Sequence, residues 1–133
     1  MPKTAEIVIG NSGADHVSFR AGGRDDEGWS SVEIGVSCDG WSGSMKGSFF
    51  RGELARFGEQ LHQLHRDLSG IARLHPLEPN IALTLIGDGK GHILVKGEAQ
   101  NHFEGSTRLT FEFTIDQTYL KGIADALSQA DPE

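Results

Sequence analysis

The chain has few of the features that mark an exported or membrane protein. Cys38 is the one cysteine in 133 residues, so no internal disulfide can form. The first six residues, Met-Pro-Lys-Thr-Ala-Glu, include no apolar segment of the kind that a secretory signal needs. No apolar run approaches the roughly 20 residues of a membrane-spanning helix. We therefore expect a protein of the reducing cytoplasm that makes no contact with a membrane.

Basic residues are also scarce. Lysine and arginine number 12 against 19 aspartates and glutamates, which gives a formal net charge of −7. This balance argues against nucleic-acid binding, because cations are needed to neutralise phosphates. It suits a basic protein partner, since complementary charge speeds encounter. Solubility alone also explains an acidic surface. The sequence does not indicate the oligomeric state.

What the chain does contain is one long amphipathic segment, from Phe49 to Gly70. Its large apolar residues recur at steps of three and four, which places them on one stripe of an α-helix. We expect Gly70 to end this helix in the left-handed conformation, where a residue without Cβ is favoured. The stripe consists of Phe50, Leu54, Phe57, Leu61, Leu64 and Leu68.

Most of the remaining chain alternates apolar and polar residues, as half-buried antiparallel strands do. Asp39-Gly40 is a type I′ hairpin signal, and residues 22–28 should form an exposed loop. Asp116 should cap a second helix, and residues 128–133 should form a frayed tail. Turns or connections are expected at residues 10–13 and 99–105, and strands at residues 4–9, 16–21, 29–38, 41–49, 71–74, 80–86, 92–98 and 107–115.

Short loops between consecutive strands require antiparallel pairing, because a parallel crossover needs a dozen or more residues. We therefore predict a single α+β domain over residues 1–133. Its architecture is a curved antiparallel β-sheet packed against one long central helix and a C-terminal helix. No internal repeat is evident in the sequence.

Three features suggest chemistry, and each has a simpler structural interpretation. His62 and His65 have a spacing that suits a metal, but no carboxylate completes a zinc motif, which favours solvated helix positions. Residues 87–92 resemble a phosphate loop yet join two strands, as a hairpin tip does. Cys38 alternates with buried positions, as an inert cysteine does. We predict no enzymatic activity, no catalytic residue, no metal and no cofactor.

The candidate partner-binding residues are two tryptophans and a run of three carboxylates. An exposed aromatic side chain beside acidic groups is typical of a protein-binding patch. Core packing at strand ends also explains the tryptophans, and a solvated loop also explains the acidic run. These candidates are Trp29, Trp41, Asp25, Asp26 and Glu27.

Four segments of the last two-thirds of the chain carry a family resemblance. They are Phe50-Arg51-Gly52-Glu53-Leu54-Ala55-Arg56-Phe57 with Leu61 and Leu64, Gly91-His92-Ile93-Leu94-Val95-Lys96-Gly97, Leu109-Thr110-Phe111-Glu112-Phe113, and Asp116-Gln117-Thr118-Tyr119-Leu120. Together they resemble the WapI-like immunity protein family and related small bacterial domains of unknown function. The resemblance covers about residues 50–127, and the N-terminal third matches only in its strand pattern.

The resemblance implies a small α+β antitoxin-like protein that neutralises a toxin domain delivered between competing bacteria. It supplies no catalytic residues. We therefore expect a non-catalytic bacterial binding protein, an immunity protein whose partner is a cognate toxin. The alternative function is a small-molecule-binding domain with a cleft between sheet and helix.

Overall fold

The computed structural model describes residues 5–11, 13–101 and 107–131. Four strands precede a helix, and four more strands precede a short 3₁₀ turn and a second helix. The elements are β1 (Ala5–Gly10), β2 (His16–Arg24), β3 (Trp29–Cys38), β4 (Trp41–Phe50), α1 (Glu53–Asp67), β5 (Ser69–Leu74), β6 (Ile81–Asp88), β7 (His92–Gln100), β8 (Arg108–Asp116), the 3₁₀ turn (Gln117–Tyr119) and α2 (Leu120–Ala130).

The described strands form two four-stranded antiparallel sheets, ordered β1-β2-β3-β4 and β5-β6-β7-β8. The predicted α+β class, with antiparallel strands and two helices, is confirmed. The strands divide into two sheets instead of one because α1 separates β4 from β5, and these two edge strands do not pair. The order of four strands and a helix occurs twice, although the sequence shows no repeat.

The two halves of the chain share one core. Helix α1 packs against α2, and each helix also contacts the first strand of the other half, α1 on β5 and α2 on β1. The buried apolar residues form one continuous cluster that includes the predicted stripe residues Leu54, Phe57, Leu61 and Leu64. We therefore expect both halves to unfold together.

The central helix is shorter than predicted at both ends. Phe50 ends β4, and the C-cap of α1 is Leu68, which is left-handed with φ 60°. The N–H of Leu68 donates to the Leu64 carbonyl at 2.8 Å, and its own carbonyl accepts from Gly89 N–H at 2.9 Å. Gly89 directly follows β6, and this contact holds the chain in a turn that leads into β5. Gly70 has a positive φ of 121°, but it lies in β5 and does not end the helix, so the prediction of Gly70 as the C-cap is wrong.

Local signals placed several turns correctly. Asp39 and Gly40 have φ values of 51° and 85°, which confirms the type I′ turn. The Asp116 carboxylate accepts from Thr118 N–H at 2.9 Å, so it caps the 3₁₀ turn that leads into α2. This bond lowers the pKa of Asp116.

Two other connections differ from the prediction. Strand β2 continues through Gly22 and Gly23 to Arg24, with a register shift, because Arg24 still pairs with Ser30 of β3. The exposed loop is correspondingly shorter than residues 22–28. Strand β7 reaches Gln100. Thr4, Ser12 and residues 102–106, which belong to predicted elements, lie outside the described residues.

The prediction of a frayed C-terminal tail is wrong for residues 128–131. Helix α2 continues to Ala130, and Asp131 is buried. The Asp131 carboxylate accepts from Gly52 N–H at 3.1 Å, from Ala55 N–H at 3.0 Å and from Arg24 Nη2 at 2.9 Å. It therefore caps α1, whose own N-cap residue is a glycine, from the end of the other helix. Residues 132–133 lie outside the described part of the chain.

Replacing Asp131 should destabilise the whole fold. Asp131→Ala removes the cap of α1 and leaves the half-buried Arg24 without this carboxylate, so we expect a loss of roughly 2–4 kcal/mol in the free energy of unfolding. Urea denaturation followed by circular dichroism measures the loss.

The matched control is Asp125→Ala. Asp125 is a more exposed carboxylate on the same helix, paired with Lys121 at 3.0 Å, and its removal should cost about 0–1 kcal/mol. Equal losses for the two variants would contradict the capping role of Asp131.

Candidate functional site

The side chain of Trp41 is unusually open to solvent for a tryptophan. It is 72% exposed and stands at the start of β4, directly after the Asp39-Gly40 turn. Trp41 borders a groove of about 570 Å³ between the tip of the β3–β4 hairpin and strands β7 and β8. This surface, the Trp41 groove, is lined by Cys38, Asp39, Trp41, Lys96, Gly97, Leu109, Thr110, Phe111 and Glu112.

Beside this groove, the Phe111 ring occupies the space that a side chain at Gly97 would fill. Gly97 pairs with Phe111 across β7 and β8, and a Cβ added at Gly97 would overlap the Phe111 ring. Phe111 also stacks on Phe113, with ring centroids 6.3 Å apart and planes 11° apart. Both rings are buried, so the apolar lining at Phe111 is fixed by packing on each side.

Cys38 joins the two sheets at one side of the Trp41 groove. Its thiol donates to the backbone carbonyl of Glu112 at 3.4 Å. Burial raises the pKa of the Cys38 thiol, and the carboxylates of Asp15 and Asp39 raise it further. The thiol therefore stays protonated at neutral pH, which argues against a nucleophilic role.

The rim of the Trp41 groove is mainly acidic. Asp39 and Glu112 line it, and the Asp15 carboxylate accepts from Asp39 N–H at 3.1 Å. Lys96 supplies a positive charge on the β7 side. An exposed indole thus lies among carboxylates, which is the arrangement expected of a protein-binding patch.

Trp29 lies at the other end of the same hairpin. Trp29 pairs with Phe50, whereas Trp41 pairs with Cys38, so the two tryptophans are nine residues apart along β3 and β4. At about 3.3 Å per residue this separation is roughly 30 Å. Trp29 is half-buried and packs edge-on against Phe50, with ring centroids 5.1 Å apart.

The three predicted carboxylates accompany Trp29 and not Trp41. One of them, Asp25, builds the turn: its Oδ1 accepts from the N–H groups of Glu27 and Trp29, each at 2.9 Å. Asp26 and Glu27 are exposed. The five candidate residues therefore divide between two distant surfaces.

Sequence reasoning missed the carboxylates that do accompany Trp41. Asp39 is two residues away in the chain, but its position before Gly40 indicates only a turn. Leu109, Phe111 and Glu112 come from the other half of the chain, and no local signal connects them with Trp41.

The helix histidines do not form a metal site in the described residues. His62 Nε2 lies 3.5 Å from Asp125 Oδ1, and no group of three or more His, Cys, Asp or Glu in residues 5–11, 13–101 and 107–131 could hold a metal ion. The absence of enzymatic activity stays a prediction. No helix in the same ranges is long and apolar enough to cross a membrane.

The glycine-rich segment at residues 87–92 is the tip of the β6–β7 hairpin. The Asp88 carboxylate accepts from Lys90 N–H at 2.6 Å and from His92 N–H at 3.1 Å, and His92 Nδ1 lies 3.0 Å from it. These hydrogen bonds, with that to Lys90 first, lower the pKa of Asp88 to about 2. A carboxylate at the centre of the loop would repel a phosphate.

The fold defines a class: α+β proteins in which two antiparallel four-stranded sheets are each followed by a helix. The sequence matches the model of the Immunity protein WapI-like family over residues 8–130, and the chain belongs to that family. The match includes the N-terminal third. Membership supports a role in immunity in general terms.

Comparison with other proteins adds information on the fold alone. No curated protein matches the sequence. A chain in the crystal structures of Trypanosoma bruciei MRP1/MRP2 has a similar fold, with a TM-score of 0.52 and 12% sequence identity over 98% of this chain and 84% of that one.

The Asp88 loop should be sensitive to acid only at very low pH. Because the pKa of Asp88 falls below its ordinary value of 3.8, its contribution to stability is complete above that value and is lost as the pH falls through about 2. The carboxyl carbon shift of Asp88, followed by NMR against pH, measures this midpoint. A midpoint near 3.8 would contradict the loop geometry.

Asp88→Asn should speed amide exchange of Lys90 and His92 at pH 5 and leave the NMR signals of Trp41 unchanged.

Proposed function

We propose that this chain is a cytoplasmic immunity protein that neutralises a bacterial toxin by direct protein–protein binding. The Trp41 groove is the contact surface. The observation that carries the proposal is a 72% exposed tryptophan beside an apolar lining in a chain of an immunity family. By binding there, the immunity protein covers a surface that the toxin needs for its action.

Trp41 has the properties of an interface anchor. Tryptophan is enriched among residues that dominate binding energy, because it buries a large apolar area and keeps one polar group. Leu109 and Phe111 supply an apolar surface beside it, and a partner side chain placed there would be shielded from water. The acidic rim then surrounds the anchor as a polar border.

Charge supports a basic toxin as the partner. The chain carries a net charge of −7, and Asp39 and Glu112 place part of it at the groove. Trp29, Asp26 and Glu27 lie roughly 30 Å from Trp41 by strand length, so we propose that this end of the hairpin acts through long-range attraction. Asp25 has a structural role in its turn.

In the described part of the chain two clefts lie between α1 and β5, and their volumes are about 200 Å³ and 190 Å³. Ligand pockets usually have volumes of roughly 300–1,000 Å³. These two volumes give no support to a small-molecule site between sheet and helix.

The partner to test is a candidate toxin domain, to be sought among the reading frames that neighbour this gene. Trp41→Ala should weaken its binding by about thirtyfold or more, since an anchoring tryptophan contributes at least ~2 kcal/mol. Isothermal titration calorimetry measures the affinity, and co-expression with the toxin measures protection.

Tyr119→Ala is the control for the loss of an exposed aromatic side chain. Tyr119 is 45% exposed and lies in the 3₁₀ turn, outside the Trp41 groove. It should bind and protect like the unmodified protein. Equal effects of the two substitutions, or no binding of the unmodified protein, would contradict the proposal.

The association rate should depend on salt. Attraction between an acidic surface and a basic toxin is screened as ionic strength rises, so the rate should fall by about tenfold between low and high salt, with a smaller change in dissociation. Stopped-flow tryptophan fluorescence measures both rates. A salt-independent association rate would show that charge does not guide the encounter.

A further inference from the structure

The open edge of β4 is a second feature that the Trp41 groove does not explain. Among the described strands, β4 is the last of its sheet and pairs with β3 alone, over ten residues without a register shift. Sheet edges are commonly protected by proline, a bulge or several charges. Strand β4, Trp-Ser-Gly-Ser-Met-Lys-Gly-Ser-Phe-Phe, has neither of the first two and one charged residue, Lys46.

The hydrogen-bonding direction of each residue in β4 follows from the hairpin turn. In a two-residue hairpin the residues that flank the turn form a hydrogen-bonded pair, so Trp41 bonds to Cys38 of β3. The pattern alternates, and the even-numbered residues from Ser42 to Phe50 therefore direct their N–H and C=O groups away from β3. The N–H of Phe50 confirms this direction, because it donates to the Glu53 carboxylate.

Four alternate residues of β4 direct their N–H groups to the open edge. Within the described residues nothing accepts a hydrogen bond from the N–H groups of Ser42, Ser44, Lys46 or Ser48. Space is present at both ends of the strand: the Trp41 groove lies at one end, and a second groove of about 600 Å³, lined by Glu33, Lys46, Ser48, Glu78 and other residues, lies towards the other.

A row of alternating charges crosses the outer face of this sheet and stops at β4. Glu6 pairs with Arg20, Arg20 with Glu33, and Glu33 with Lys46, each directly opposite the next on adjacent strands. Arg20 Nη2 lies 2.9 Å from Glu6 Oε2, and the charges of Glu6 and Glu33 raise the pKa of Arg20. Lys46 ends the row and forms no ion pair of 4.0 Å or less with the described residues.

We propose that the β4 edge accepts an extended strand of the partner protein, with an Asp or Glu opposite Lys46. Opposite charges directly across two strands stabilise their pairing, and like charges destabilise it. The added strand continues the sheet through backbone hydrogen bonds. Ser44 and Ser48, on the same face as Lys46, are small and leave room there for the side chains of the added strand.

A second copy of β4 fits this edge less well. The strand contains no carboxylate, so an antiparallel pair of β4 strands cannot place a negative charge on the open side of Lys46, across from Glu33 of β3. Lys46 thus opposes self-pairing and selects an acidic strand. The proposal rests on the proposed function only in taking the toxin as the source of that strand.

Two synthetic peptides test the edge without the toxin. One is acetyl-Thr-Val-Thr-Glu-Thr-Val-Thr-amide, and the other has lysine in place of the central glutamate. Titration into ¹⁵N-labelled protein should slow amide exchange at Ser44 and Lys46 and leave Gly43 and Met45 unchanged, because the latter already bond to β3. The glutamate peptide should bind about two- to fivefold more tightly than the lysine peptide.

Two substitutions sharpen the test. Lys46→Glu should reverse the order of the two peptides. Ser44→Pro removes one outward N–H and none of the bonds to β3, so it should abolish peptide binding, whereas Ser44→Thr should retain it. Circular dichroism and the melting temperature establish that each variant folds. If Ser44→Pro does not fold, Ser48→Pro tests the same edge at a second position.

Several results would overturn the proposal. These are the absence of peptide binding, protection that does not alternate along β4, an unchanged peptide order in Lys46→Glu, or dimers of the free protein that protect the same amides. Toxin binding that depends on Trp41 but tolerates Ser44→Pro would reject the edge and keep the proposed function. If the peptide protects alternate amides of β4 but the toxin does not bind, the edge proposal is kept and the proposed function is rejected.

Discussion

The two halves of this protein are held together where the carboxylate of Asp131 meets the first turn of α1. A helix whose N-cap residue is a glycine has free N–H groups in its first turn and no N-cap side chain to accept from them. Asp131 supplies the acceptor from the end of α2 and contacts Arg24 of β2 at the same time. Because α1 and α2 lie side by side over one continuous core, the position of the end of α2 fixes the position of the start of α1. The two sheets, and the groove between their ends, keep their relative placement as a result.

Much of the fold was available from local patterns. The stripe of Leu54, Phe57, Leu61 and Leu64 predicted the central helix, and Asp39-Gly40 predicted a hairpin turn that the backbone adopts. Ends of elements were less predictable. Leu68 takes a left-handed conformation with its carbonyl bonded to the N–H of Gly89, directly after β6, and no residue near Leu68 in the sequence indicates this contact. The buried Asp131 was misinterpreted for the same reason: a polar residue near a terminus is ordinarily solvated, and its partners lie 76 or more residues away.

The candidate surface shows the same limit. The residue type alone makes Trp41 a candidate. The acidic residues that the sequence suggests as its neighbours are the run from Asp25 to Glu27, which the length of β3 places far away. Only the meeting of β3 with β8, marked by the bond from Cys38 to Glu112, brings Leu109 and Phe111 beside Trp41. Strand pairing within each half could be inferred from alternation and turn length. The contact between halves could not, because it depends on how two sheets pack around a pair of helices.

The Phe111 ring lies where a side chain at position 97 would otherwise stand. Gly97 is itself only partly buried, so a map of solvent exposure would rank it among tolerant sites. Even alanine there displaces the aromatic ring and alters the lining of the neighbouring groove. In a saturation library, position 97 would therefore show the intolerance of an interior residue, and a loss of affinity measured there would report a change of shape in the groove instead of a lost contact.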